Sequence, residues 1–322
     1  MDERGIIDNI FKPLAGEGAP AFGLENDTAI YSPPEGCDLV ITKDVMIEGV
    51  HFPEGEAAGV IAQRLLRSNL SDLAAAGAKP VGYLLGLMGK ETIGEGWLKA
   101  FAAALKQDQE EFGIKLMGGD TTSGSKSLCL SLTAIGSVEA GRGLTRQGAS
   151  KGDLICVSGT IGDAGLGLKC LTGEIERDDF LIGRFQKPEP RLALGQGLTG
   201  IASAVIDISD GLALDLENLC RASGVGAKVH LERAPLSGPA KKYAAGDQKK
   251  LIELLTAGDD FELLFAVPVE KADQIPKLAK TAGLPITVIG EITGAGECQF
   301  LDVKGRAVAF RKKGYRHFSE RG

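Results

Sequence analysis

Runs of alternating and helically spaced apolar residues divide the chain into two successive stretches of strands and helices. In the first stretch, β-branched alternating runs predict strands and longer amphipathic runs predict helices. The predicted helices are 4–14, 57–77 and 94–112, and the predicted strands are 38–43, 81–88, 114–118 and 128–138. This mixture is typical of an α/β domain.

A second stretch of the same kind opens with KGDLICVSG, after a glycine-rich and charged segment at 139–153. That segment has little periodicity, so we take it as the domain junction and expect domains at 1–145 and 146–322. A charged loop is expected after 172. The predicted helices are 163–172, 191–200, one after Asp210, and 270–282, and the predicted strands are 203–208, 227–231, 262–267, 286–292 and 298–310.

Composition narrows the class of protein. The 322 residues carry a formal net charge of −7, which argues against the basic surface of a nucleic-acid-binding protein. The 6 cysteines form no CxxC pair and only 3 histidines are present, which argues for reduced thiols and against a zinc site. No apolar run approaches the ~20 residues of a membrane helix, and the N-terminus lacks the features of a signal peptide. We expect a cytoplasmic protein.

Aspartates recur at the ends of apolar runs, where a solvated face is a poor explanation. Carboxylates gathered in this way suit hard divalent cations, which prefer oxygen ligands and accompany phosphate. The sequence therefore indicates a nucleotide or another phosphorylated substrate handled with several magnesium ions. The aspartates are Asp27, Asp44, Asp72, Asp120, Asp207 and Asp210.

Several of these residues have simpler alternatives. Asp72 shares the apolar face of its helix with Leu65 and Asn69, since these positions recur at helical spacing. A buried carboxylate needs a partner, and that partner is either a metal or a salt bridge to Arg64 or Arg67.

Asp44 follows a predicted strand, with Thr42 on the same side. A hydroxyl and a carboxylate there suit a metal, although for Asp44 taken alone a cap or turn aspartate is the favoured interpretation. Asp120 ends the segment MGGD and precedes Thr121 and Thr122, two further oxygen donors. The segment GDTTSGSKS lacks the GK[ST] adjacency of a phosphate-binding P-loop, so we reject that interpretation.

Asp207 and Asp210 lie at a predicted strand-to-helix turn, where two carboxylates repel each other unless a cation lies between them. Alternatively, Asp210 caps the helix that starts at Gly211. Glu262 begins the apolar strand LLFAV and points either into a cleft or to solvent.

Four other residues are candidates for ligand contacts. Phe112 and Tyr315 could stack on rings, although core packing explains Phe112 equally well. His51 is a lone histidine, more often structural than catalytic. Arg146 either meets phosphate or is a solvated cation.

Taken together, the segments resemble the thiamine-monophosphate kinases, within the superfamily that contains aminoimidazole ribonucleotide synthetase. The resemblance covers nearly the whole chain. Its motifs are Asp27-x-Ala, TKDVMIEGVHF, NLSDLAAAGAKP, GGDTT, RxGAxxGD, KPxPR, IDISDGL, GDDFELLF and GYRHF. EGVHF and GYRHF distinguish this family from the selenophosphate synthetases and the hydrogenase-maturation proteins of the superfamily.

The resemblance implies a two-domain α/β and α+β architecture like that of aminoimidazole ribonucleotide synthetase. In that architecture the N-terminal sheet pairs across a homodimer and ATP binds in the cleft between the domains. It also implies ligand contacts, position by position. The implied magnesium ligands are Asp27, Thr42, Lys43, Asp44, Asp72, Asp120, Asp207 and Asp210; the ATP contacts are Phe112, Gly119, Asp120, Arg146 and Ser209; and the thiamine-phosphate contacts are His51, Glu262 and Tyr315.

Two positions depart from the family pattern. The family usually has GDD where this chain has Glu25-Asn26-Asp27, and a Thr or Ser where it has Lys43. If residue 43 binds metal through its carbonyl, the change is harmless; if through its side chain, one magnesium site is weakened.

The implied reaction is direct in-line transfer of the γ-phosphoryl of ATP to thiamine monophosphate, giving thiamine diphosphate. The acceptor phosphate is already ionised, so no protein nucleophile, general base or phosphoenzyme is expected. Two alternatives stay open: a related enzyme that phosphorylates another small molecule, and a nucleotide-binding protein without turnover.

Overall fold

The computed structural model describes residues 3–315, which form two compact units. The first unit contains the chain up to Leu73 and Ala78–Gly141, and the second contains Ala74–Gly77 and the chain from Arg142 onward. The last residues of the GYRHF motif, from Arg316, lie outside the described part, whereas Tyr315 lies within it.

The first unit combines four strands with two long helices and a helical N-terminal segment. A π-helical turn at Ile7–Phe11 joins the two short helices of this N-terminal segment. The elements are α1 (Glu3–Ile6), α2 (Lys12–Ala15), β1 (Cys37–Ile47), α3 (Ala58–Ala75), β2 (Lys79–Lys90), α4 (Glu95–Phe112), β3 (Lys115–Ser125) and β4 (Cys129–Glu139).

The strands of the first unit form one mixed sheet in the order β1-β4-β2-β3, in which only β2 and β3 are parallel. Alternate residues of β4 are buried on one face, and α3 lies over this face, since a Cβ at Gly136 would lie 3.2 Å from Leu73 Cδ2. The opposite face keeps large apolar side chains exposed. They are Leu39, Ile41, Val45 and Ile47 on β1 and Leu84 and Met88 on β2.

The second unit contains six strands and seven helices within its described residues. They are β5 (Leu154–Ser158), α5 (Asp163–Leu171), α6 (Asp179–Gln186), α7 (Leu192–Leu198), β6 (Ala204–Asp207), α8 (Leu212–Ser223), β7 (Gly226–His230), α9 (Gly238–Ala244), α10 (Gln248–Leu255), β8 (Leu263–Val267), α11 (Ile275–Ala282), β9 (Ile286–Thr293) and β10 (Cys298–Leu301).

The sheet of the second unit has the order β10-β7-β9-β5-β8-β6 and is covered on both faces. All five residues of β8 are buried, which explains its unbroken apolar run. On one face, Leu264 packs in a cluster with Leu216 of α8. On the other, Phe265 packs in a cluster with Leu198 of α7 and Leu278 of α11.

The predicted two-domain organisation is confirmed, and the differences concern particular elements. Strands β1 and β3 continue beyond their predicted ends, which places Asp44 and Asp120 inside strands. The strand predicted for 298–310 ends at Leu301, because the Asp302 carboxylate accepts hydrogen bonds from the N–H groups of Lys304 and Arg306 and forms a turn.

The sequence did not predict α6, α9 and α10, which are short and begin at the capping residues Asp178, Ser237 and Asp247. No helix within residues 3–315 is long and apolar enough to cross a membrane.

Candidate functional site

Two predicted carboxylates of the first unit meet at the contact between β1 and α3. Alternation along β1 turns Thr42 and Asp44 toward α3, on which Ser68 and Asp72 lie one helical turn apart. Thr42 Oγ1 donates to Asp72 Oδ2 at 2.5 Å, and Ser68 Oγ donates to Asp44 Oδ2 at 3.0 Å. The cap or turn alternative for Asp44 is therefore wrong.

The electrostatic environment of this contact favours an added cation. Burial raises the pKa of Asp44, and the hydrogen bond from Ser68 and the nearby His51 only partly oppose it. On the same helix, Asn69 is fully buried and its Oδ1 has no hydrogen-bond partner among the described residues. These oxygen donors fit a hard divalent cation.

The arginines of α3 also contact other segments of the first unit. Arg67 makes a buried bidentate pair with Asp108, with Nε–Oδ2 and Nη2–Oδ1 distances of 2.9 and 2.8 Å. Its guanidinium also lies 4.8 Å from the ring centroid of Phe112, at the end of α4. Arg64 Nε donates to the carbonyl of His51 at 3.1 Å, and His51 Nδ1 accepts from the N–H of Ile47 at 3.0 Å.

Asp120 lies on the opposite face of the sheet from Asp44. The register pairs Asp120 with Gly86, and Gly86 with Ser131, so these residues share a face. Lys43 reaches the same face, because its Nζ donates to Ser131 Oγ at 2.5 Å. The aspartates that the sequence groups together thus divide between the two faces.

Gly119 precedes Asp120 at a point where no side chain fits. A Cβ at Gly119 would lie 2.0 Å from the backbone oxygen of Leu85 on β2. The glycine is therefore required by the close approach of the strands, whether or not the backbone also meets ATP.

The loop that carries Asp27 is held at one end by ion pairs. Glu25 accepts from Arg4 Nη2 at 2.9 Å and from Lys12 Nζ, so this acid serves the N-terminal helical segment. Asn26 and Asp27 are both exposed.

In the second unit, a turn between β6 and α8 carries three predicted ligands. Asp207 is the last residue of β6, and Ser209 and Asp210 follow it. The Asp215 Oδ2 accepts the N–H groups of Ser209, Asp210 and Gly211 at 3.1, 3.0 and 3.1 Å. Asp215 therefore binds the free N–H groups at the start of α8, and capping by Asp210 stays an untested alternative. Burial and the charge of Asp210 raise the pKa of Asp215 to about 7.

Two other segments bind the carbonyls of this turn. The N–H of Asp259 donates to Ser209 O at 2.8 Å, and the N–H of Tyr315 donates to Asp210 O at 3.0 Å. Asp259 has a φ of 70°, in the left-handed region that aspartate adopts more readily than most residues other than glycine. Ser209, a predicted ATP contact, therefore lies close to Tyr315, a predicted thiamine-phosphate contact.

Glu262 is buried in a network of charges. Its carboxylate accepts from Arg191 Nε at 2.8 Å, Arg184 Nη2 at 2.8 Å and Ser158 Oγ at 2.6 Å. Glu262 is 0% exposed, so the alternative that it points to solvent is wrong. Its contact with thiamine phosphate stays a prediction.

Arg146 lies in an exposed loop beside β6. The carbonyl of Thr145 accepts the N–H of Val205 at 2.8 Å, and the carbonyl of Arg146 accepts Ser223 Oγ at 3.0 Å. The main chain is therefore fixed at two points, and the contact of the Arg146 side chain with phosphate stays a prediction.

Across residues 3–315, no group of three or more His, Cys, Asp or Glu side chains is arranged to hold a metal ion. The fit to magnesium thus rests on the donor chemistry at the β1–α3 contact. Any complete coordination shell must include hydroxyl, amide, phosphate or water oxygens beside the carboxylates.

Sequence reasoning missed several residues that organise these places. Ser68 and Asp215 each bind a predicted ligand segment, and Arg184 and Arg191 hold Glu262. Arg191 belongs to the KPxPR motif, which carried the family resemblance without an assigned role. Asp215 had a local signal, since it is an acid in the first turn of a helix.

Comparison with known proteins gives the class. Residues 25–138 match the family model for the N-terminal domain of AIR synthase related proteins, and residues 150–302 match the model for the C-terminal domain. The two matches account for most of the chain, which is therefore a two-domain protein of the AIR synthase related class.

Individual relatives narrow this class. The thiamine-monophosphate kinase of Caulobacter vibrioides is 39% identical over 316 residues, covering 97% of this chain and 89% of the relative. The crystal structure of the enzyme from Stenotrophomonas maltophilia K279a matches with 35% identity and a TM-score of 0.81, covering 88% of this chain and 91% of that one.

A further structure, AaThiL complexed with AMPPCP and TMP, matches with 30% identity and a TM-score of 0.78 over 98% of this chain and 97% of that one. The chain belongs to the thiamine-monophosphate kinase family, and the resemblance inferred from its motifs is confirmed.

A buried carboxyl in the second unit makes stability depend on pH. The carboxylate of Asp260 accepts the N–H groups of Gly162 at 2.6 Å and Ala164 at 3.2 Å, at the start of α5. Burial raises the pKa of Asp260 to about 8, well above the ordinary value for an aspartate. The folded state therefore binds the proton more tightly than the unfolded state.

We expect Asp260→Asn to remove part of this pH dependence. A raised pKa stabilises the fold at low pH, and that contribution is lost as pH rises through the folded pKa. Between pH 5 and 8, the wild type should lose stability relative to the variant by at most about 1.4 kcal/mol per pH unit. Urea unfolding of both proteins at each pH measures this, and a constant difference would contradict it.

Proposed function

We propose that this chain transfers the γ-phosphoryl group of ATP to thiamine monophosphate, forming thiamine diphosphate and ADP. The observation that carries the proposal is full-length similarity to the thiamine-monophosphate kinases. The β1–α3 contact, where Asp44 and Asp72 are held by hydroxyl groups, supports it. ATP acts as co-substrate and several Mg²⁺ ions as cofactors.

The residues of the chain serve binding and orientation. Ser68 and Thr42 fix the rotamers of Asp44 and Asp72, so that the carboxylates are pre-oriented for a metal. When bound, Mg²⁺ screens the repulsion between two polyanions and stabilises charge on the transferring phosphoryl group. Because the acceptor is an ionised phosphate, no side chain is needed as nucleophile or base.

Further roles follow the family resemblance. In the first unit, Asp27, Asp120 and the carbonyl of Lys43 complete the proposed metal ligands, and Phe112 and Gly119 contact ATP. In the second unit, Asp207 and Asp210 hold metal, and Ser209 and Arg146 contact the nucleotide. His51, Glu262 and Tyr315 bind thiamine phosphate, with Glu262 acting through the arginines that surround it.

The lysine at position 43 is compatible with this scheme. Its side chain is engaged with Ser131 on the face of the sheet opposite Asp44, so a metal contact at this position uses the main-chain carbonyl. That route does not depend on the side chain, and the substitution therefore preserves the site.

We also propose that two copies of the chain pair through the exposed face of the first sheet. Ile41 is 64% exposed on the edge strand β1, and Val45, Leu84 and Met88 are 44, 39 and 46% exposed on the same face. An exposed sheet face with several large apolar side chains marks an interaction surface. A second copy supplies a matching apolar face and covers the open strand edge.

The dimer is tested by placing a charge on this face. Ile41→Glu should shift the protein to monomer at micromolar concentration, because a buried unpaired carboxylate is costly. Sedimentation velocity measures the change. Ile30→Glu is the control, since Ile30 is equally exposed at 64% but lies outside the sheet. A monomeric wild type, or a dimeric Ile41→Glu protein, would refute the interface.

Asp44→Asn should lower turnover while the fold persists. The amide keeps the shape and the hydrogen bond to Ser68 but lacks the charge that holds a cation. At limiting Mg²⁺ we expect a loss of at least roughly 10- to 100-fold. Asp38→Asn is the control, because Asp38 lies on the same strand and bonds the N–H of Gly141. Near-normal turnover of a folded Asp44→Asn protein would remove Asp44 from the metal site.

Phosphorus NMR of the purified protein with ATP, Mg²⁺ and thiamine monophosphate tests the function itself. Thiamine diphosphate should form in step with ADP. ATP consumption without thiamine diphosphate would indicate a different acceptor, and bound but intact ATP would indicate a nucleotide-binding protein without turnover.

A further inference from the structure

The main chain of the turn between β6 and α8 is committed to internal hydrogen bonds. Asp215 accepts the N–H groups of Ser209, Asp210 and Gly211. The carbonyls of Ser209 and Asp210 accept N–H groups from Asp259 and Tyr315. These backbone groups are therefore satisfied within the protein, and the side chains are the groups that the turn offers to a ligand.

Close packing fixes the same turn from outside. Gly211 has a φ of 120°, and a Cβ there would lie 2.9 Å from the carbonyl oxygen of Ala257. A Cβ at Gly258 would lie 2.4 Å from Ser209 O, and one at Gly314 would lie 2.6 Å from Asp210 O. Three segments therefore meet with no room for side chains, and the turn has little freedom to shift.

Asp215 is the internal support of this arrangement. It is 2% exposed, lies in the first turn of α8, and binds three consecutive N–H groups through one oxygen, Oδ2. A carboxylate that accepts three amides is a stronger and more directional restraint than a neutral cap. Oδ2 cannot bind a ligand without giving up these bonds, and Oδ1 accepts from Asn218 Nδ2 at 3.5 Å.

We infer that Asp215 is a positioning residue, which presets the turn so that Asp207, Ser209 and Asp210 receive a metal–nucleotide complex without rearrangement. The inference rests on the proposed function for the identity of that complex. It assigns to Asp215 a role in metal and nucleotide affinity, beyond the stability that any helix cap provides. Residues that orient metal ligands in this way typically change metal affinity roughly 10- to 100-fold when they are replaced.

The test is Asp215→Asn in the full-length protein, with Mn²⁺ as a paramagnetic probe and a non-hydrolysable ATP analogue. Electron paramagnetic resonance measures free Mn²⁺ and so gives the affinity of the protein–nucleotide complex without turnover. We expect this affinity to fall by at least about 10-fold. Excess Mg²⁺ should restore part of the turnover that Asp215→Asn loses.

Asp178→Asn is the matched control, since Asp178 accepts the N–H groups of Phe180 and Leu181 at the start of α6 in the same unit. It should leave Mn²⁺ affinity unchanged and change the melting temperature little, because asparagine caps a helix about as well as aspartate. Unchanged Mn²⁺ affinity in a folded Asp215→Asn protein, or an equal loss in both variants, overturns the inference.

If Asp215→Asn does not fold, hydrogen exchange of the wild type decides the question. A preset turn requires slow exchange of the amides of residues 209–211 before nucleotide or metal is added, whereas fast exchange that slows only on binding contradicts it. Mn²⁺ binding without formation of thiamine diphosphate would refute the proposed function alone. A wild type that binds neither Mn²⁺ nor the analogue would refute both.

Discussion

The dominant physical constraint on this protein is the cost of taking carboxylates out of water. Most buried acids are compensated within the fold, but by different groups. Asp108 and Glu262 are paired with arginines, whereas Asp215 and Asp260 accept backbone amides. Asp44 accepts from a hydroxyl. The first four acids hold structure together, and the weaker compensation of Asp44 leaves it available for a cation.

The kind of hydrogen-bond partner distinguishes acids that look equivalent in the sequence. A carboxylate bound by two guanidinium groups is committed to those bonds, so Glu262 orients the arginines around it. A carboxylate held by one hydroxyl keeps free lone pairs and an oriented rotamer, as at Asp44. Beside the turn of Ser209, Phe261 has a φ of 51°, which a bulky residue rarely adopts, so packing has overruled local preference there.

Much of the organisation was readable from the sequence, because it depends on local patterns. The two-domain division, the long helix ending at Phe112 and the strand that carries Asp207 follow from periodicity and composition. The family followed from motifs spread along the chain. The rest required tertiary information: the continuation of β1 past Asp44 depends on pairing with β4, and the partner of Asp210's main chain lies at Tyr315. Which face of a strand an aspartate occupies depends on register, and this separates Asp120 from Asp44.

The turn between β6 and α8 has a consequence for how the protein can vary. Main-chain hydrogen bonds and close glycine contacts determine the backbone path of the turn. We therefore expect that side chains at 209 and 210 can be exchanged without altering the backbone, whereas position 211 tolerates only glycine. The turn is thus a rigid backbone segment with two side chains that can be exchanged. A library randomised at those two positions would sample new ligand chemistry on one unchanged backbone.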